Sequence, residues 1–171
     1  MNNVFAQIFR FLILITLQVL ICNNIHLFGF LNPQLYVLAL LLLPIELKKS
    51  AQYMIAFFTG LTVDFFLQTF GIHALACLIL IAVRPAFVFI LSGSRPQDAI
   101  LKPIPGVKDF KWLVLYTIGL VFIHQLIVTG VETFTWTEWL RISWISIANT
   151  LFTTVIILAI EYTFISEKIK N

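Results

Sequence analysis

Long apolar runs separated by short polar breaks dominate the chain, and their lengths are typical of membrane-spanning helices. A helix needs about 20 mostly apolar residues to cross a bilayer. Runs of suitable length occupy residues 4–22, 51–70, 72–91, 110–130 and 139–165. A sixth run, 35–47, is shorter and contains Pro44, so it crosses only if the bilayer thins or the helix extends back to Pro33, which gives the predicted span 33–47. We predict a single all-α, polytopic membrane domain over residues 1–171, with about six transmembrane helices.

The composition agrees with this pattern. The chain is 60% hydrophobic and 11% charged, whereas soluble domains are about 25% charged, and its mean hydropathy is +1.00. About six helices of this length use roughly 120 residues, which leaves short connections. We therefore expect no ATPase, kinase or soluble binding domain within the chain, and function must come from the helices or their loops.

The positions of Lys and Arg predict the orientation. Basic residues collect on the cytoplasmic side of membrane proteins, and here they fall in alternate connections: Arg10; Lys48 and Lys49; Arg95, Lys102, Lys108 and Lys111; Lys168 and Lys170. Arg141 is the exception. Both termini are predicted to be cytoplasmic. Without a crossing at 33–47, the later basic clusters would lie on the wrong side.

Three connections carry additional signals. The apolar connection 23–34 is interrupted by Gly29 and Pro33, so we expect it in the outer interface. The basic connection 92–109 contains three prolines and is expected to lie beside anionic lipid. Trp136 and Trp139 suit the outer headgroup region, and Thr135 with Glu138 forms a capping-box pattern before the last helix.

Signatures of enzymes and metal sites are missing from the sequence. There is no GxGxxG, P-loop, HExxH or GxSxG, and Cys22 and Cys77 form no metal-ligand spacing. The net charge of +3 reports loop orientation rather than nucleic-acid binding. We expect a protein that is not an enzyme, with no cofactor, no metal and no nucleic-acid partner.

Polar residues within the predicted spans are the candidates for function, because they are costly in hydrocarbon. Gly60, Asp64, Gln68 and Gly71 share one predicted face of the third span with Ala56. The carboxyl group of Asp64 either pairs inside the bundle or simply caps or braces a neighbouring helix.

Two further spans carry single ionisable residues. Arg84, followed by Pro85, either reaches toward Asp64 or extends to the lipid phosphates. His124, at about the depth of Asp64, either forms a hydrogen bond between helices or takes part in a proton relay.

The last span carries a stripe of polar side chains, which predicts a face turned toward protein. Its members are Ser143, Ser146, Thr150, Thr153, Thr154 and Glu161. Such a face can pack against other helices, line a polar cavity or bind the helix of a partner.

In the order of its elements the chain resembles the bacterial rod-shape-determining protein MreD family. The resemblance covers most of the length. It rests on Leu17-Gln18, Asn23 to Gly29 with Asn32-Pro33, Leu40 to Pro44, Gly60-Leu61-Thr62-Val63-Asp64, Phe70-Gly71-Ile72-His73-Ala74, and Arg84-Pro85.

This resemblance implies a location, a set of partners and a fold. It implies a multi-pass component of the bacterial cytoplasmic membrane that belongs to the cell-elongation machinery (the elongasome) and acts in cell shape and cell-wall organisation. It also implies a single-span MreC-like partner, indirect links to MreB and the peptidoglycan synthases, and a fold similar to the membrane substrate-binding component of vitamin transporters.

Two functions follow as expectations. The first is a non-enzymatic scaffold that positions an MreC-like protein and the machinery of peptidoglycan synthesis. The alternative is a small-molecule-binding membrane component of a transporter, which would use a central cavity.

Overall fold

The computed structural model describes residues 2–20, 31–44, 47–93, 110–133 and 136–170. The described residues form six α-helices and no β-strand, and a short 3-10 turn, Trp136–Glu138, precedes the last helix. The helices are α1 (Asn2–Leu20), α2 (Tyr36–Leu41), α3 (Lys49–Leu67), α4 (Ile72–Ser92), α5 (Phe110–Thr133) and α6 (Trp139–Lys170). The predicted interfacial residues 23–30, most of the basic connection 92–109 and Thr135 lie outside the described residues.

Four of the described helices are long and apolar enough to cross a membrane. These are α3, α4, α5 and the Trp139–Tyr162 part of α6. The length and apolar composition of these helices confirm the prediction of an all-helical, multi-pass membrane protein. In α1, the part Phe11–Leu20 is apolar but shorter than these four helices.

The long helices pack in chain order, each against the next. The Trp112 indole donates a hydrogen bond to Ser92 Oγ at 3.2 Å, so the start of α5 lies beside the end of α4. We call this the lower end of the bundle. The upper end carries the α3–α4 turn and the start of α6. Helix α1 packs against α2 and α3.

The helix predicted over 33–47 is much shorter than expected. Among its described residues, 33–44 and 47, only Tyr36–Leu41 is helical, and all six residues of this helix are buried. At 1.5 Å per residue this helix is about 9 Å long and cannot cross a bilayer. Pro33 and Pro44 flank it, and proline favours a helix boundary on either side.

The segment 31–44 nevertheless runs lengthwise through the bundle. Near its beginning, the Asn32 amide donates to Asn149 Oδ1 in the upper part of α6. Near its end, the Leu43 carbonyl accepts from Arg84. Arg84 lies twelve residues after the first residue of α4, roughly 18 Å along the helix axis. The segment therefore passes through the protein interior largely without regular helix.

Candidate functional site

Asp64 caps the N-terminus of the following helix. Its Oδ1 accepts hydrogen bonds from the His73 amide at 3.0 Å and from the hydroxyl of Thr69, and it lies 3.1 Å from His73 Nδ1. Its Oδ2 accepts from the Ala74 amide at 2.9 Å. These amides belong to the first turn of α4, whose N–H groups lack partners within the helix. The position also suits a carboxylate, because a helix N-terminus carries partial positive charge.

The face predicted for Gly60, Asp64, Gln68 and Gly71 ends earlier than expected. Ala56, Gly60 and Asp64 are buried, but α3 stops at Leu67, and Gln68 is exposed with φ 57°. Gly71 precedes α4 with φ 82°, a conformation that glycine adopts without strain. Gln68 and Gly71 are therefore turn residues, and the buried seam ends at Asp64.

Gly60 brings α3 and α4 into close contact. A Cβ atom at this position would lie 2.4 Å from the Ala74 Cα atom and 2.6 Å from the His73 carbonyl oxygen. Those are the residues at which Asp64 caps α4. The small residue and the carboxylate, one helical turn apart, therefore hold the same helix start.

Arg84 binds the C-terminal end of the short helix α2. The side chain is 2% exposed, and its Nη2 donates to the carbonyls of Leu41, at 3.0 Å, and Leu43. Its Nε donates to the Tyr116 hydroxyl at 2.7 Å, which in turn donates to the Leu41 carbonyl at 3.2 Å. Positive charge is favourable at a helix C-terminus.

The structure supports neither alternative that the sequence raised for Arg84. The guanidinium group is buried and directed to backbone carbonyls, so it does not extend to lipid phosphates. The backbone of Arg84 also lies roughly 15 Å along α4 from that of Ala74, and Asp64 bonds to the start of that helix instead. Pro85 beside it is exposed.

Gln18 of α1 caps the other end of α2. Its Oε1 accepts from the Leu35 amide at 2.6 Å and from the Tyr36 amide at 3.4 Å, while its Nε2 donates to the Pro33 carbonyl at 3.2 Å. These three backbone groups precede or begin the helix. With Asn149 of α6, side chains from four different helices thus satisfy the backbone where regular helix is missing, as the membrane interior requires.

His124 bonds to this buried segment and not to Asp64. Its Nε2 and the Tyr36 hydroxyl lie 2.9 Å apart and share a hydrogen bond. The Tyr36 ring makes edge contacts with the rings of His73 and His124, with centroid separations of 6.1 Å and 5.5 Å. The hydrogen bond between helical segments, one of the two alternatives for His124, is the arrangement found.

The polar stripe of α6 faces the interior of the bundle except at Ser143, which is partly exposed and donates to the Trp139 carbonyl of its own helix. Ser146, Thr150, Thr153, Thr154 and Glu161 are each at most 3% exposed. Thr153 Oγ1 accepts from the Gln34 amide at 3.3 Å, and Ser146 Oγ lies 3.5 Å from the Gln125 carbonyl. Thr150 donates to the Ser146 carbonyl of its own helix. This face contacts other parts of the same chain.

A polar cavity of about 410 Å³ opens at the upper end. Residues from segment 31–44 and from α3 to α6 line it: Asn32, Gln34, Leu67, Thr69, His73, Gln125, Val128, Thr129, Glu132, Thr133, Arg141, Ile145 and Asn149. Most are amide, hydroxyl or ionisable side chains. No group of three His, Cys, Asp or Glu side chains in the described part of the chain could hold a metal ion.

Several residues of the site were not found from the sequence. They are Gln18, Tyr36, Tyr116, Gln125 and Asn149, which are buried. Their local signal was a polar side chain among apolar neighbours, and Gln18 also belongs to the pieces that carry the MreD resemblance. Each of these residues also makes a contact with a residue 15 or more positions away along the chain, as in the bond between Asn149 and Asn32.

Comparison with known proteins adds no relative: no family model, no curated protein and no solved structure matches this chain.

Proposed function

We propose that the protein is a non-enzymatic scaffold of the bacterial cytoplasmic membrane, similar in role to MreD, that positions a single-span MreC-like protein. Through that partner it would link MreB and the peptidoglycan synthases in the cell-elongation machinery. The protein also contacts the lipid bilayer that surrounds it.

The observation that supports this proposal is that the sequence pieces behind the MreD resemblance contact one another. Gln18 bonds to Pro33. Arg84 bonds to the Leu40 to Pro44 piece through its carbonyls. Asp64 caps α4 at His73-Ala74, and Gly60 packs against the same two residues. The pattern thus encodes one buried framework, which is what a scaffold needs to hold its surfaces in place.

The partner's helix is expected on an exposed apolar face, because the polar faces are occupied within the chain. Gly60 and Ser146 are both buried, so neither is available to a partner. Two exposed faces remain as candidates. On α3 the face is formed by Tyr53, Phe57, Leu61 and Phe65, and on α6 by Leu140, Trp144, Ile147, Leu151 and Val155.

The test is co-purification with the MreC-like protein encoded in the same genome. The two proteins are co-expressed with a tag on one of them and extracted in mild detergent. We expect stoichiometric recovery, and we expect Leu61→Trp or Leu151→Trp to reduce it several-fold, because helix association in lipid depends on close packing. Leu126→Trp, on an exposed position of α5, is the matched control.

Failure to recover the single-span partner, with all variants present at wild-type levels in the membrane, would contradict the scaffold proposal. A second measurement in the same cells is the loss of rod shape when the protein is depleted. Cells that keep their shape and wall synthesis would contradict the proposed role.

The alternative, a small-molecule-binding membrane component, has one specific observation in its favour. The cavity at the upper end has a volume within the range of ligand sites, about 300–1,000 Å³. Mass spectrometry of the purified protein tests this function directly, and recovery of a stoichiometric vitamin-like molecule without a single-span partner would favour it over the scaffold.

A further inference from the structure

The cavity at the upper end has a lining that selects among ligand classes. Its polar groups are mainly amides and hydroxyls, and among the described residues its apolar lining is aliphatic, with no Phe, Tyr or Trp. Flat aromatic ligands usually stack on such rings. The lining therefore favours a small polar ligand without an aromatic ring system.

Two amide side chains on the wall have unused hydrogen-bonding atoms. Gln125 is 1% exposed, and its Nε2 has no hydrogen-bond partner among the described residues. The Oδ1 atom of Asn32 is likewise buried without one. Buried polar atoms are normally paired, so an unpaired amide donor and an unpaired acceptor on one cavity wall suit a ligand that carries both complementary groups.

The cavity also carries one group of each charge at its wall. The Glu132 carboxylate forms no ion pair with any described residue. Arg141 forms an exposed pair with Glu138 at 2.9 Å, and Glu138 does not line the cavity. An exposed ion pair contributes little free energy, so a ligand carboxylate can replace Glu138 as the partner of Arg141.

We propose that this cavity binds a small zwitterion of the amino-acid or short-peptide class. The ammonium group of the ligand binds Glu132, its carboxylate binds Arg141, and its amide groups bind Gln125 and Asn32. The proposal rests on the alternative function, the small-molecule-binding membrane component, and does not depend on the MreC-like partner. A failed pull-down would therefore contradict the scaffold, whereas a failed ligand measurement would contradict this proposal.

The experiment measures binding of alanylglutamine to the full-length protein in lipid nanodiscs by isothermal titration calorimetry. N-acetyl-alanylglutamine amide, which lacks both charges, is the matched ligand control, and glucose is the uncharged polar control. We expect saturable binding of alanylglutamine and affinity at least tenfold weaker for the blocked analogue.

Three variants test which charged side chains contact the ligand. Glu132→Gln and Arg141→Gln should each weaken alanylglutamine roughly tenfold or more, as expected when one charge-assisted hydrogen bond is lost. Glu138→Gln breaks the ion pair between Arg141 and Glu138 but removes no group that lines the cavity, so it should leave the affinity for alanylglutamine unchanged or raise it. Thermal unfolding of each variant establishes that it folds.

Equal binding of the charged and blocked dipeptides would overturn the proposal. So would unchanged affinity in both Glu132→Gln and Arg141→Gln, or a loss in Glu138→Gln as large as that in Arg141→Gln. Absence of saturable binding of alanylglutamine would also overturn it.

Discussion

At the scale of single residues, the two buried charged side chains of α3 and α4 act on helix ends. Asp64 accepts from the first amides of α4, and Arg84 donates to the last carbonyls of α2. In each case the sign of the charge is opposite to that of the helix terminus. A charge in the membrane interior is costly when it is unpaired, and backbone groups that need partners offset that cost.

Substitutions at Asp64 test this account. Asp64→Leu leaves the amides of His73 and Ala74 without partners, and at about 1–3 kcal/mol for each unsatisfied group we expect a loss of about 2–6 kcal/mol in the free energy of unfolding. Asp64→Asn keeps one oxygen acceptor, and we expect a loss of about 1–2 kcal/mol. The measurement is the heat-unfolding midpoint of purified protein in detergent, together with the amount in the membrane.

Thr62→Val is the control for that experiment. The Thr62 hydroxyl donates to the Phe58 carbonyl of its own helix in a more exposed position, so its removal should change stability by about 0.5 kcal/mol or less. If Asp64→Leu unfolds at the same temperature as Thr62→Val, the capping bonds do not stabilise α4.

At the scale of elements, sequence reasoning predicted the long helices but not the form of segment 31–44. Apolar length is a local property, so the runs that became α3 to α6 could be found directly. The prolines at 33 and 44 indicated an irregular segment. They could not show that Gln18, Arg84 and Tyr116 would bond to its backbone, because those residues lie 15 to 75 positions away. The polar cavity is lined by residues from five separate parts of the chain, so local sequence patterns could not predict it either.

The bonds from Gln18 should control the local stability of segment 31–44. Gln18→Leu leaves the Leu35 and Tyr36 amides and the Pro33 carbonyl without this partner, and at about 1–3 kcal/mol for each unsatisfied group we expect a loss of about 3–9 kcal/mol. Hydrogen–deuterium exchange should become faster at Leu35 and Tyr36 while α4 and α5 keep their protection.

Thr16→Val is the matched control on the same helix, since Thr16 is exposed. It should leave exchange in segment 31–44 unchanged. Identical exchange in Gln18→Leu and wild type would show that the bonds from Gln18 do not stabilise this segment.

At the scale of the whole molecule, the two ends of the bundle differ in charge. Among the described residues, the upper end carries Glu132 and Glu138 with Arg141, whereas Lys48, Lys49 and Lys111 lie at the starts of α3 and α5, at the lower end. Positive residues collect on the cytoplasmic side. The distribution therefore predicts that the lower end faces the cytoplasm and that the cavity opens to the outside.

Reporter fusions test this orientation, and the decisive pair lies on either side of segment 31–44. Because that segment passes from the upper to the lower end, a reporter after Asn24 should be external and one after Lys49 cytoplasmic. Fusions after Glu132 should be external, and those after Lys102 and Asn171 cytoplasmic, because each long helix carries the chain across the membrane once. The measurement is paired alkaline phosphatase and green fluorescent protein activity at each site. If the Asn24 and Lys49 fusions report the same side, the segment enters and leaves the membrane on one face. If Lys102 is external, the six-crossing arrangement is wrong.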